Sequence, residues 1–588
     1  MFGASWFSQL HRPLRYVSTV LAATTLVGAM SVATVVTATP VAAHAASSVS
    51  FAGTLGSARK VKTVTISGLM KAGVNAAATT ATSASGTPHV VAMHPRPASA
   101  THSASVLAPA PTAAASKLAA GTLLHNFDGV SALDNSVATN GFDLEPPDES
   151  IAVGGGYALN FVNLTGAIYN KNGGIVAGPF PLGLVGGGGF FNTDLNNIVS
   201  DPRAYFDASS HTWFALVWED DFTSTGAPGP AFVDLAVNSG NPVTHAWTIY
   251  QVSVDDASAA GCPCLPDFTI LGVDQSNVYL LPNEFQNFGS GFNGSQIYVL
   301  AKSQLIAGVA SPNVIHFSNL SVAGVVAYHL QPAVEHESAS AEYFMNSLDP
   351  NNTFDNRLGV WAMTNRDKVA QGVIPTLTAT VISSEAYAMP PDAQTPPGFN
   401  LGFAAPTTGV VTNDFDALQE VQYINGKLYG ALDTSVNIAG DASARSGVAW
   451  FVVKPAVSGG AISAKTKVAQ QGYLAAQGLY LLYPHIEASQ SGTVAVVFSF
   501  GGPGTYLSAA YSTLKQGAFG PIQTASAGVT TDNGFTGTAA FGGVGRWGDY
   551  SAGQIDPSGS GIWFATQYIG GNGDQFANWS DRLFEIAG

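Results

Sequence analysis

The stretch SDPRAYFDASSHTWFALVW, Ser200 to Trp218, decides the fold. It opens on an acidic residue, runs through a short apolar segment and turns at Ser209. It returns as a strand rich in aromatic and β-branched residues. The phrase recurs as LPDFTILGVDQSNVYLLPNEF (Leu265 to Phe285) and GDYSAGQIDPSGSGIWFATQY (Gly548 to Tyr568). Seven copies run between about Asp148 and Tyr568, with turns near Gly155, Ser209, Ser276, Asn356, Gly426, Ser491 and Gly559. The copy over Glu342 to Asn365 matches least well.

A sheet unit repeated every few tens of residues specifies a propeller or a solenoid. Successive turns lie 54, 67, 80, 70, 65 and 68 residues apart. A four-stranded blade takes about 40–50 residues, so each repeat holds a blade and longer loops. The expected fold is all-β, a β-propeller of seven four-stranded blades. Radial packing protects the sheet edges and buries the apolar blade faces. The ring would be closed by Thr122–Val130 meeting Trp579–Ile586 in one blade. An open β-solenoid is the alternative, but its turns are shorter and more regular.

Composition agrees. Only 10% of the 588 residues are charged, 46% are hydrophobic and 65 are glycine, which suits turn-rich β structure. A net charge of −16 excludes nucleic acid and anionic membrane as partners, since both require a basic footprint.

Residues 1–45 read as a signal peptide. Arg12 and Arg15 precede an Ala/Val/Thr-rich run to about Val41, and Ala43-His44-Ala45 forms a small-x-small cleavage site. An uncleaved membrane anchor is the alternative, opposed by Pro40 and the processing site. Residues 46–121 are expected to be a low-complexity linker. Ala76 to Ala120 is largely Ala, Thr, Ser and Pro, without an aromatic residue to build a core. The propeller is expected over 122–588, in a monomeric, secreted or cell-surface protein. Cys262 and Cys264, the two cysteines, would clip a local loop if joined; two free thiols or half of a soft-metal site are the alternatives.

The acidic strand starts are the candidate site: Asp148, Asp201, Asp267, Asp414 and Asp549, with His485 at the equivalent place in the sixth copy. In a propeller these positions converge on one mouth of the central channel. Carboxylates gathered there would repel unless hydrated, protonated or bound to a cation, and Ca²⁺ is the cofactor such a set would accept. Because the pattern repeats, each Asp also reads as framework that caps a turn and bonds a neighbouring blade's backbone. Arg203 and Arg546 stand near the same mouth and would pair with these acids or receive an anion. Asp207, Asp274 and Asp556 precede turns and read as Asx-turn residues. Glu219, Asp220 and Asp221 read as a solvated acidic loop.

The segments PPDESIAVG (Pro146 to Gly154), DPRAYFDASSHTW (Asp201 to Trp213) and GDYSAGQID (Gly548 to Asp556) resemble those of secreted bacterial β-propellers of the sialidase-like, BNR-related kind. The resemblance runs from about Phe142 to the C-terminus and implies the fold. A sialidase would also bring three arginines, a Tyr–Glu nucleophile pair and an Asp acid/base. Arg203, Arg357 and Arg546 are available, but no motif assigns them, and the Asp box at Asp207 to Trp213 is one residue too long. No catalytic set is therefore carried over. The first functional reading is a non-catalytic propeller that binds a glycan or an envelope or extracellular partner. The alternative is a sialidase-like glycoside hydrolase or lyase acting on extracellular polysaccharide.

Overall fold

A computed structural model describes residues 48–77, 121–184, 188–191, 197–222, 228–254, 262–286 and 291–588. The expected signal peptide lies outside the described residues. So does the Ala/Ser/Thr/Pro tract from residue 78 to 120.

The described chain is all-β. Seven successive segments each fold into antiparallel strands laid side by side in chain order. They span 150–181, 197–253, 264–317, 331–388, 421–474, 480–526 and 552–587, and are called units 1 to 7 below. Units 4 and 5 join into one sheet by a short parallel pairing, Ala333↔Val421 to Glu335↔Tyr423. Unit 7 is completed from the other end of the domain. Leu123–Ser131 pairs with Ser580–Ala587, placing Asn126 opposite Phe584, as the sequence predicts for ring closure.

The first strand of each unit packs beside that of the next. Ser150–Gly154 touches Asn197–Asp207, which touches Cys264–Val273, and the series continues to Ala552–Ile555, which touches Ser150–Gly154 again. The first strands thus form a circle. Strands between neighbouring sheets are buried on both faces, so they read as continuous apolar runs rather than alternating ones. Val494–Gly502 (VAVVFSFGG) is buried at every position. Large rings fill the gaps between units: Trp213, Trp218, Trp361, Trp450 and Trp563 are among the largest fully buried side chains. Each would cost about 3–5 kcal/mol to truncate to Ala.

Two expectations are corrected. First, the linker does not begin at residue 46. Val49–Phe51 pairs with the last strand of unit 4, Gly53–Ser57 with that of unit 3, and Arg59–Val64 with that of unit 2. A twelve-residue helix, Ile66–Ala77, follows. This belt satisfies the outer edges of three consecutive sheets, which would otherwise expose unpaired backbone. Its composition hid it: small and polar residues dominate the strands because one face stays in water. Second, the fourth repeat starts earlier than the sequence suggests. Its first strand is Gln331–Glu335 and its first turn spans 336–341, whereas Asn356 lies inside the third strand, Phe354–Thr364. The turn HESASA lacks Gly, Pro and Asn, so the stronger signal Asp349-Pro350-Asn351-Asn352 captured the assignment.

No helix among the described residues is long and apolar enough to cross a membrane. Cys262 and Cys264 are joined in a disulfide that closes a local loop ahead of unit 3.

Candidate functional site

What repeats at the strand starts is a backbone conformation. Asp148, Asp201, Phe268, His329, Tyr483 and Gly548 enter units 1, 2, 3, 4, 6 and 7 with φ between 45° and 89°, the left-handed region that most side chains avoid. In units 2, 4 and 6 the N–H of this residue is capped by the preceding unit. Asn163 Oδ1 accepts from Asp201 N at 2.8 Å, Asn283 Oδ1 from His329 N at 3.0 Å, and Asp433 Oδ2 from Tyr483 N at 2.8 Å. Asn163, Asn283 and Asp433 sit toward the far end of the second strand of their units or just past it, so the cap recurs in units 1, 3 and 5.

The predicted acids fall into this frame unequally. Asp148 and Asp201 occupy the left-handed position itself. Asp267 precedes it by one residue, Asp549 follows it by one and His485 by two. Asp414 is not a strand start: unit 5 begins at Val421, and Asp414 belongs to the segment before it. These residues do come together. Asp148 Oδ1 accepts from Asp549 N at 2.9 Å. Asp201 Oδ2 accepts from Phe268 N at 2.9 Å and from the Tyr550 hydroxyl at 3.0 Å. Arg546 bridges Asp414 at 2.7 Å and Asp549 at 2.9 Å. Asp148, Asp201 and Asp549 are buried, near the rings of Phe268, His329, Phe415 and Tyr550, which pack tilted or edge-on against one another. Burial first, then Asp549 and Asp201, push the Asp148 carboxyl well up. Burial and the charges of Asp201 and Asp549 do the same to Asp267. Asp549 is raised by burial to about 7 despite Arg546. At this end Asp148 and Asp201 hold backbone N–H groups of neighbouring units, and Asp414 and Asp549 hold Arg546.

The three arginines do not converge. Arg203 is buried, its guanidinium 3.4 Å from the Tyr550 ring centre. Arg546 is spent on two aspartates, and Arg357 pairs with Asp355 at 2.6 Å.

From Arg203 a line of polar side chains descends through the middle of the ring. Arg203 meets Glu420 Oε1 at 3.2 Å, and Glu420 Oε2 lies 3.4 Å from His485 Nδ1. His485 Nε2 lies 3.1 Å from Glu487 Oε2, and Glu487 Oε1 lies 3.1 Å from His336 Nε2. Burial works against the Glu487 charge, but bonds to both histidines hold its pKa below the usual range.

The line ends at an open pocket of about 250 Å³ where the first strands finish. Tyr205, His336, Gln490, Ser491, Gln554 and Asp556 line it. Tyr205 and Gln554 lie on the first strands of units 2 and 7, while His336, Gln490 and Asp556 begin the turns after those of units 4, 6 and 7. The Tyr205 and His336 rings are 6.5 Å apart. Gln490 donates to the His336 carbonyl at 3.1 Å. Gln554 bonds both ways with Phe206, donating to its carbonyl at 2.8 Å. Sequence reasoning missed this pocket, reading Asp556 only as a turn residue, because its members are scattered over four units. The available signal was strand alternation: Tyr205 and Glu487 lie two residues beyond Arg203 and His485, on the same inward face.

Asp207, Asp274 and Asp556 hold the turns here as predicted, accepting from the backbone N–H two residues on at 3.1, 2.6 and 2.8 Å. Each also takes a cation: Lys302, Arg366 and Lys171 respectively. Among the described residues, Asp274, Glu335 and Glu342 bring carboxylate oxygens within 4.8 Å of one another. Arg366 bonds Asp274 and Glu335 and already supplies positive charge there. The acidic run is corrected: Glu219 and Asp220 are buried in the strand Thr212–Phe222 of unit 2. Glu219 faces Asp234, and Lys62 of the belt lies beside both.

No family model matches the chain, and no curated protein matches it. Solved structures similar to it include a GH43 β-1,3-galactosidase at 12% identity and TM-score 0.28, covering 60% of this chain and 98% of that one. An exo-β-1,3-galactanase from Clostridium thermocellum is similar at 8% identity and TM-score 0.28, covering 76% and 97%. A protein of unknown function from Dyadobacter fermentans is similar at 10% identity and TM-score 0.33, covering 67% and 98%. Likeness of this degree assigns no family and no activity to the chain.

Proposed function

We propose that the chain is a seven-bladed β-propeller, secreted or held at the cell surface, that acts on extracellular polysaccharide as a glycoside hydrolase or lyase. The circle of first strands supports the architecture. The observation that carries the function is the axial pocket, where an aromatic ring, two carboxamides, serine hydroxyls and a histidine backed by an ionised carboxylate meet. Aromatic faces and amides are the groups that hold sugar rings and hydroxyls. His336 is the proton-moving group of the set: Glu487 fixes one ring nitrogen, and a neutral imidazole offers a base on the other. Tyr205 stands beside it as the stacking partner, its hydroxyl pushed up by burial and therefore no acid.

A second reading, a glycan binder without turnover, is favoured by one observation. Among the strand-start carboxylates, Asp148 and Asp201 hold backbone N–H groups and Asp549 holds Arg546, so these three supply no pair flanking a scissile bond.

The test is a glycan-array screen of the full chain, followed by product analysis on each hit. Turnover abolished by His336→Ala supports the first reading. Binding without turnover leaves the second, and silence on every glycan refutes both.

A further inference from the structure

The charges around the pocket bear on which saccharide it takes. Among the described residues that line it, none is Lys or Arg, and one, Asp556, is acidic. Among the described residues, three nearby cations are already held. Lys171 lies 2.6 Å from Asp556, Lys302 lies 2.7 Å from Asp207 beside the lining residue Ala208, and Arg366 lies 2.7 Å from Glu335 beside His336. Glu487 stands behind His336. Asp556 and Asp207 keep their charge because bonds from Lys171 and Lys302 outweigh burial. Further from the pocket, Arg203 is held by Glu420 and Arg546 by Asp414 and Asp549.

We infer that the pocket takes uncharged or amino-bearing sugar units and rejects uronic and sialic acids. A sugar carboxylate entering the pocket would find no free guanidinium or ammonium to receive it. It would meet Asp556, whose counter-ion Lys171 is already committed, and would add a negative charge with no cation left to balance it, which is disfavoured. A hydroxyl or an ammonium at the same position meets acceptors instead. This inference rests on the glycan reading above and narrows it: it sets aside the acidic substrates that a sialidase resemblance implies and, with them, the lyase reaction, whose β-elimination needs a uronic acid, leaving hydrolysis.

The experiment compares matched oligosaccharides that differ only in charge on the full chain by titration calorimetry. Cello-, chitosan and glucuronan oligomers form one set; galacto-, galactosamine and galacturonan oligomers form the other, with sialyllactose against its carboxyl-reduced neutral form as a third comparison. The neutral or amino member of at least one set is expected to bind at least tenfold tighter than the acidic member. Gln490→Lys, at an exposed position of the pocket rim, is expected to narrow that gap by admitting the acidic member. An acidic member that binds as tightly as or tighter than its neutral counterpart overturns the inference while leaving the glycan reading intact. Silence of every oligomer overturns the glycan reading, and the inference with it.

Discussion

Asp581→Asn should flatten the pH dependence of stability. Asp581, on the last strand, accepts from Asn160 of unit 1 at 2.7 Å and faces Glu149 across the closure between units 7 and 1. It is fully buried, and burial raises its carboxyl to about 7. In the unfolded chain an Asp titrates near 3.9. A raised folded pKa means that stability is fully present below about pH 4 and is lost as pH rises through 7, because the unfolded chain releases the proton first. Roughly three pH units at about 1.36 kcal/mol each give a loss of about 4 kcal/mol from this one group. Glu149 is raised by burial and then by Asp581, so removing the Asp581 charge relieves it as well. For a domain of roughly 500 residues, about 4 kcal/mol corresponds to about 4 °C in Tm. The assay is thermal unfolding at pH 3.5, 5, 6 and 7.5 for wild type and Asp581→Asn. Wild type should lose Tm as pH rises, and the variant should gain on wild type by a few degrees between the lowest and highest pH. A variant shifted by the same amount at every pH would refute the reasoning.

Other outcomes follow from the frame and the belt. Asn163→Ala removes the caps of Asp201 N and the Ser200 hydroxyl; it should cost about 1–3 kcal/mol in urea unfolding, the range for a buried unsatisfied group. Gly154→Ala places a methyl 2.2 Å from the Phe206 ring and should cost about 1–3 kcal/mol in the same assay by overpacking. Deleting residues 48–65 bares the outer edges of units 2, 3 and 4 and should produce association visible by light scattering; a monodisperse product of unchanged Tm would contradict the belt's role. Glu487→Gln removes the charge behind His336 and should change the pH profile of any turnover more than saccharide affinity.

The architecture was legible because turn chemistry and apolar runs are local. Six of the seven expected turns fall between the first and second strands of their units, and the closing pair Asn126↔Phe584 was visible as two unpaired strands. The fourth repeat was misplaced because HESASA turns without turn residues. The belt was missed because one-sided outer strands such as Gly53–Ser57 need little apolar sequence. The candidate site was half legible. Asp148 and Asp201 do enter the axis, but the repeat is a left-handed backbone that Phe268, His329 and Tyr483 adopt equally, so side-chain identity was a poor guide. Tyr205, His336 and Glu487 gave no motif, because only the closing of the ring brings residues so far apart in sequence to one place.

Hydrogen exchange of the full chain with and without a saturating array hit tests the central claim most directly, because the two ends of the axis lie in different peptides. Protection is expected at 203–208, 334–340, 488–492 and 553–561, around Tyr205, His336, Gln490 and Asp556. Protection confined to 146–150, 266–269, 412–416 and 546–550, at the acidic end, would contradict it.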